Sequence, residues 1–324
     1  MAWENDMRKF ERVLFPAYVD VEPFDPCNLR CAFCFGPDFL TLGNKWRPPS
    51  VWRNLFGDLV ERGVEGIVVS GGEPTLYRGR EDGVQYNIAT LLEAAKEHGL
   101  RTTMSTNATR PKILRLAAPY LDWIALPLDA VSPESQQRMR GFVISPDQMN
   151  ALIADLRESN PDLKVKLGTV ATAWNRADIL ELALVLADGR IAIDTWKIYQ
   201  FAARRMAVAR GHADSLQLMD DEMLALRSEV ERTWGGRAVT FRTTWSTLDD
   251  RSGAYLFVYS SGEVVIPNLL QDAADHVVGN VFAGGSEVLD RVVPDIVRLQ
   301  HDGLLRVGNN DKNYRDTYVT RSAT

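Results

Sequence analysis

The sequence predicts an α/β fold built on a parallel sheet, and two observations carry that prediction. Through the first two thirds of the 324 residues, short apolar runs alternate with amphipathic stretches, the pattern of successive βα units. Six of those runs have the length and composition of strands. A first strand near Ala17–Val21 leads into a loop that holds every cysteine of the chain. Ser50 can cap a helix whose apolar face is Val51, Leu55, Leu59 and Val60, with Gly63 as its C-terminal stop. Ile67–Ser70 is a short buried strand, and Gly71-Gly72-Glu73-Pro74 follows it directly. A helix over Asn87–His98 puts Ile88, Leu91, Leu92 and Ala95 on one face, and Gly99 ends it. Further strands are expected near Thr102–Ser105, Trp123–Pro127, Val165–Val170 and Thr195–Tyr199, with helices between them.

The pattern changes after about residue 210. Met219–Trp234 has helical periodicity. Tyr255–Val265 reads as a hairpin with Ser260-Ser261-Gly262-Glu263 as its turn. Val288–Leu299 reads as a last helical stretch, which Pro294 should break or kink.

Composition narrows the function classes. A hydrophobic content of 45% suffices for a large core. A net charge of −6 disfavours nonspecific binding to nucleic acid or anionic membranes, which needs a basic surface. No apolar run has the length of a membrane span, and Met1-Ala2-Trp3-Glu4-Asn5-Asp6 lacks the basic-then-apolar pattern of a secretory signal. A cytoplasmic protein is expected.

The three cysteines are the most specific feature. Cys27, Cys31 and Cys34 stand in C-N-L-R-C-A-F-C, a C-x3-C-x2-C spacing. A [4Fe–4S] cluster normally takes four thiolates. Three leave one iron open to bind a small molecule and act on it. A structural zinc site wants four ligands, and His98, His212, His276 and His301 all lie far downstream. An odd cysteine count without a secretory signal argues against disulfides.

This cysteine motif, with strand-Gly71-Gly72-Glu73-Pro74 about forty residues on, resembles the radical S-adenosylmethionine (radical SAM) superfamily. The resemblance implies a partial (β/α)6 TIM-type barrel with a small C-terminal α+β extension. Residues 1–210 would form the core and 211–324 the extension that covers it. It implies one [4Fe–4S] cluster on Cys27, Cys31 and Cys34, because no cysteine remains for a second. SAM would chelate the open iron and be cleaved reductively to a 5′-deoxyadenosyl radical that takes hydrogen from the substrate. An external one-electron donor, such as flavodoxin or ferredoxin, would supply the electron.

Site residues follow from the same resemblance, position by position. Gly71, Gly72, Glu73 and Pro74 would hold the SAM amino group, the glycines letting the backbone approach the ligand. Phe33 matches an aromatic that packs by the adenine; a plain core Phe is the alternative. Thr106 and Asn107 match a segment near the ribose, or form a turn after a strand. Asp129 matches a strand-end aspartate, or is a cap residue. Arg140 resembles an arginine that contacts the SAM carboxylate, or is a solvated surface Arg. Gln200 joins the cofactor set, and Tyr199 and Asp129 are the catalytic candidates. All the cysteines being committed to iron, any hydrogen re-donation would fall to a tyrosine such as Tyr199 or Tyr259.

A looser likeness covers the viperin branch of the superfamily, through Lys166-Leu-Gly-Thr-Val and Trp196-Lys197-Ile198-Tyr199-Gln200. Gly168 and the cation-free segment Asn268–His276 depart from it, so that branch is a relative in fold rather than in function. Lys166, Lys197, Arg204 and Arg205 converge near the expected barrel mouth and suit an anionic group on the substrate. The expectation is a radical SAM enzyme acting on a small-molecule or nucleoside-type substrate. Modification of a ribosomally made peptide is the enzymatic alternative. Only 16 residues precede the first strand, too few for a peptide-binding winged helix. A non-catalytic iron–sulfur sensor or electron carrier is the alternative of a different class.

Overall fold

The structure, a computed structural model, describes residues 14–36, 46–204, 206–248, 255–268 and 274–305. Its strands are β1 (Tyr18–Glu22), β2 (Gly66–Val69), β3 (Arg78–Glu81), β4 (Val84–Asn87), β5 (Arg101–Ser105) and β6 (Trp123–Pro127). They continue with β7 (Lys164–Ala171), β8 (Thr195–Gln200), β9 (Arg242–Ser246), β10 (Phe257–Tyr259), β11 (Glu263–Ile266) and β12 (His276–Asn280). Ten of them form one sheet in the order β12-β11-β10-β1-β2-β5-β6-β7-β8-β9. All pairings from β10 to β9 are parallel, and β10-β11-β12 are antiparallel. The six expected strands are the adjacent set β1, β2, β5, β6, β7 and β8. Among the described residues the sheet does not close, which leaves a partial barrel.

The helices that cover the outside are α1 (Pro49–Glu61), α2 (Ile88–Glu97), α3 (Pro111–Ala117), α4 (Pro133–Arg140), α5 (Pro146–Ser159) and α6 (Arg176–Ala187). Asn87 starts α2, its Oδ1 accepting from Ala89 N at 2.8 Å. Ser145 and Gln148 start α5 by capping each other's backbone. Two expectations at helix ends are corrected. Ser50 does not cap α1: the helix begins at Pro49, whose missing N–H would have no partner there, and the Ser50 hydroxyl donates to Glu81. Pro294 does not kink a continuous helix. A 3-10 turn over Ser286–Arg291 ends first, and an α-helix over Val292–His301 restarts with Pro294 in its first turn, where no intrahelical N–H bond is lost.

The C-terminal hairpin forms as β10 and β11, with Gly262 at φ +90° in its turn. Hairpin β3–β4 and strand β9 had no counterpart in the sequence reading. Asp82-Gly83 joins β3 to β4 with both φ positive, the conformation that a two-residue hairpin turn requires.

Side chains alternate across the sheet. Val19, Val21, Ile67, Val69, Leu167 and Ile198 face the helices and make the main core. The register puts the other set on the inner face. There Val170 stands beside Tyr199 and Ser246, and Gly168 beside Lys197 and Thr244. This inner face mixes apolar side chains with buried charges. Asp20, Glu22, Lys166 and Lys197 on it are all buried. Among the described residues no helix is long and apolar enough to cross a membrane.

Candidate functional site

A cavity of about 390 Å³ opens on this inner face, at the C-terminal ends of the parallel strands. Cys27, Cys31 and Cys34 line it together with Phe33, Gly71, Gly72, Thr106, Asn107 and Arg140. Lys166, Gly168 and Tyr199 line it from β7 and β8, and Tyr255 and Phe257 from beside β1.

The cysteine loop follows β1 and is tied down on both flanks. Gly72 N donates to Phe24 O at 3.1 Å, and Glu73 N to Pro26 O at 3.0 Å. Ala32 N donates to Met139 O at 2.7 Å, which fastens the loop to α4. Arg30 Nη1 donates to Cys27 O at 2.7 Å, and Arg210 donates to Cys31 O. The three thiols are half-buried and form no disulfide. Burial pushes the Cys27 thiol up, and pushes Cys31 up to about 11 against the Arg140 guanidinium. Metal binding would therefore displace protons from these sulfurs.

Among the described residues no three His, Cys, Asp or Glu side chains surround a position for one metal ion. A cubane takes one thiolate per iron, so its ligands need not share a centre. Three unpaired thiols on one cavity wall, beside a glycine edge without side chains, fit a [4Fe–4S] cluster with SAM.

The glycines serve the loop more than the ligand. A Cβ on Gly72 would stand 2.5 Å from the Pro26 carbonyl carbon, and closer still to the Asp25 and Pro26 oxygens. Gly71 has φ +111°, and a Cβ there would sit 2.9 Å from Phe24 O. Only glycine lets this segment run against the cysteine loop.

Glu73 is placed differently from its expected role. It is fully buried and does not line the cavity. Its Oε1 accepts from Thr75 N at 3.0 Å, Thr75 Oγ1 at 2.6 Å and Thr106 Oγ1 at 2.7 Å. Its Oε2 accepts from Asn107 N at 2.7 Å. The carboxylate is spent on protein donors and clamps β2's end to β5's end. Pro74, in the 3-10 turn behind it, is also buried away from the cavity.

Asp129 is buried, pairs with Arg140 Nε, and accepts from Val170 N at 2.7 Å. It does not line the cavity either; its contacts are those of a support for Arg140. Gln200 is likewise turned away. Its Nε2 donates to Leu218 O and Asp220 Oδ1, and its Oε1 accepts from Leu248 N. Strand alternation gives Tyr199 the cavity and Gln200 the opposite side.

Of the four cations, Lys166 reaches the cavity and donates to Tyr199 Oη at 3.1 Å. Lys197 stacks over the Tyr199 ring at 5.1 Å. Arg204 does not join them: it pairs with Asp275 at 3.1 Å. Arg205, Met1–Asp6 and residues 269–273 of the segment Asn268–His276 lie outside the described residues. Tyr259 is buried and stacks on Phe257 at 6.0 Å. Glu22, Tyr255 and Phe257 are cavity residues that the sequence reading missed. The alternation Val19-Asp20-Val21-Glu22 carried a signal for Glu22, a strand with one acidic face.

Comparison with known proteins agrees with this geometry. The family model described as Radical SAM superfamily matches residues 21–186. The PqqA peptide cyclase of Rhizobium meliloti (strain 1021) is 28% identical over 207 residues, 62% of this chain and 52% of the cyclase. The chain thus spans about half the length of that relative. An S-adenosylmethionine-dependent nucleotide dehydratase of Flammeovirga pacifica is 27% identical over 256 residues, 75% of this chain and 80% of the relative. In fold the chain is similar to Streptococcus suis SuiB, solved bound to S-adenosylmethionine. The TM-score is 0.66 at 18% identity, over 99% of this chain and 72% of that one.

Proposed function

This chain belongs to the radical SAM superfamily, enzymes that use a [4Fe–4S] cluster and SAM, and on that premise we propose that it modifies one residue of a peptide substrate. Cys27, Cys31 and Cys34 would hold the cluster. The backbone edge Ser70-Gly71-Gly72, with Thr106 and Asn107, would hold SAM, and Phe33 would pack against its adenine. When bound, the two supply a 5′-deoxyadenosyl radical that takes a hydrogen atom from the substrate. One observation carries this reading: the three thiols, the glycine edge and the Lys166–Tyr199 pair line the same cavity.

The chain's own residues then do the positioning. Lys166, with Lys197 behind the Tyr199 ring, holds an anionic group of the substrate. Tyr255 and Phe257 give that group's carbon chain an apolar wall on the other side. Tyr199, in contact with Lys166 and open to the cavity, is the side chain placed to exchange a proton or hydrogen atom with the substrate. The likeness to the PqqA peptide cyclase supports a peptide. An external one-electron donor of the flavodoxin or ferredoxin kind, and a cytoplasmic location, suit an oxygen-sensitive cluster. Residues 1–210 serve as the core and 211–324 as its extension, the latter adding β9 at one end of the sheet and β10–β12 at the other.

A nucleotide is the second reading. The match to the nucleotide dehydratase, over 80% of that relative, favours it, and a buried lysine suits a phosphate as well as a carboxylate. The test is anaerobic incubation of reconstituted enzyme with SAM and dithionite, with release of 5′-deoxyadenosine measured. Peptides with acidic residues should stimulate release. Stimulation by nucleoside triphosphates alone would favour the second reading. No release under any condition, or full iron retention in Cys27→Ala, Cys31→Ala and Cys34→Ala, would overturn the enzyme as drawn.

A further inference from the structure

We propose that Asn107 and Arg140 raise the reduction potential of the cluster by aiming an N–H and a cation at two of its three cysteine sulfurs. The proposal rests on the reading that Cys27, Cys31 and Cys34 hold the cluster, and it gives both residues a role other than direct SAM contact.

Asn107 Nδ2 stands 3.7 Å from Cys27 Sγ and donates to Asn28 Oδ1 at 2.8 Å. Which way this amide points is settled by its neighbours. Its oxygen accepts from Thr109 N at 3.1 Å and Thr109 Oγ1 at 2.7 Å. The backbone N–H of Thr109 can only donate, so the amide oxygen must face it and the NH2 must face the sulfur. The backbone beneath is held too, because Asn107 N donates to the buried Glu73. Asn107 thereby joins the glycine edge to the first cysteine.

Arg140 approaches from the other side of the loop, its Nη1 4.0 Å from Cys31 Sγ. Its orientation is locked. The Nε side pairs with Asp129, whose second oxygen is fixed by Val170 N, and the guanidinium lies over the Phe33 ring at 5.0 Å. The ion pair is therefore a dipole with its positive end toward the sulfur.

One-electron reduction adds negative charge to the cluster and its thiolates. Donors and cations at the sulfurs stabilise the reduced form more than the oxidised form, and more so where water is scarce. Both contacts thus shift the potential upward, within easier reach of a biological donor. On the potential they act through the cysteines, Asn107 beside its part in holding SAM.

Asn107→Asp is the first perturbation. It keeps the oxygen that Thr109 needs, replaces the donor at Cys27 and Asn28 with a carboxylate oxygen and adds a negative charge beside the sulfur, so loss of the donor and gain of charge act in the same direction. Arg140→Met alone would strand a buried Asp129, so the partner variant is the double change Asp129→Asn with Arg140→Met. Midpoint potentials are read by EPR during potentiometric titration of the reconstituted cluster without SAM, with iron and sulfide counted in parallel. Asn107→Asp should keep its iron. Its ratio of reduced to oxidised cluster at a fixed potential should fall about tenfold, about 59 mV for a one-electron couple. The double variant should shift the same way, and Arg140→Lys should recover part of the shift. Unchanged midpoints in Asn107→Asp and the double variant, with full iron, would overturn the proposal. Iron loss in both Asn107→Asp and Asn107→Ser would also overturn it, by making the side chain a structural support. A wild-type chain that takes up no iron would sink the cluster reading itself, and this proposal with it.

Discussion

Gly72→Ala should damage the site from the protein side, before any ligand is considered. The new methyl would stand 2.5 Å from the Pro26 carbonyl carbon and nearer still to two carbonyl oxygens, all of them backbone. Backbone cannot swing aside as a side-chain end can, so the Asp25–Pro26 segment must move. Two hydrogen bonds hold it where it is, Gly72 N to Phe24 O and Glu73 N to Pro26 O. Overpacking of this kind costs about 1–3 kcal/mol. Each weakened hydrogen bond adds about 1 kcal/mol. Replacing glycine returns about 0.4–1 kcal/mol by restricting the unfolded chain. The net loss is about 3 kcal/mol, a large share of the roughly 5–15 kcal/mol that a domain has. Because Cys27 is the next residue after Pro26, the same movement should lower cluster loading.

Urea unfolding of the metal-free chain reads the stability, and iron per chain after anaerobic reconstitution reads the loading. Gly168→Ala is the control. Its Cβ would meet Tyr199 Cε2 at 3.6 Å and Leu126 O at 3.9 Å, ordinary contacts, so its stability should stay near wild type. If Gly72→Ala unfolds within about 0.5 kcal/mol of wild type, the size of an ordinary surface substitution, and binds full iron, the packing argument is wrong.

Three further outcomes follow from the same contacts. Glu73→Gln places an NH2 against N–H groups that can only donate, and should cost about 1–3 kcal/mol in urea unfolding along with SAM affinity; SAM affinity lost at unchanged stability would instead mean direct contact. Lys166→Met should raise KM for the substrate about tenfold or more with a smaller change in kcat, and an unchanged KM would remove Lys166 from substrate binding. Burial raises the Asp295 carboxyl, but His276 and Arg298 outweigh it and hold it below the usual carboxylate range. A lowered folded-state pKa stabilises above the unfolded value near 3.9 and is lost as pH falls through the folded one. Asp295→Asn should therefore be destabilising near neutral pH, with the gap closing below about pH 4; a gap that is constant with pH in urea unfolding would contradict this.

What could be read from the chain depended on how local the cause was. Of the six central strands, β1, β2, β6, β7 and β8 show apolar runs or apolar alternation between turn signals, whereas β5, Arg101-Thr-Thr-Met-Ser105, is as polar as β9 and is marked by its place after the helix that Gly99 ends. Asp82-Gly83 is equally local, an Asp-Gly pair between Glu81 and Val84 of the kind that closes a two-residue hairpin such as β3–β4. Strand β9 was hidden for a physical reason. Arg242-Thr-Thr-Trp-Ser246 shows little apolar alternation because Thr244 and Ser246 face the interior beside Lys197 and Tyr199.

The site divides along the same line. The cysteine spacing and the Gly-Gly-Glu-Pro turn were visible because a motif is a local object, and the cavity gathers Cys27, Cys31, Cys34, Gly71 and Gly72 as expected. The individual roles of polar side chains were not visible, because they depend on partners distant in sequence. Glu73 finds Thr106 and Asn107, Asp129 finds Val170, Gln200 finds Leu248, and Arg204 finds Asp275. Each of these side chains was expected at a ligand, and each has a protein partner. A buried polar group left without a partner costs more than a hydrogen bond gains, so the fold spends such residues on itself first. The cavity wall keeps a backbone edge of glycines, three sulfurs, Thr106 and Asn107, the Lys166–Tyr199 pair and the rings of Phe33, Tyr255 and Phe257.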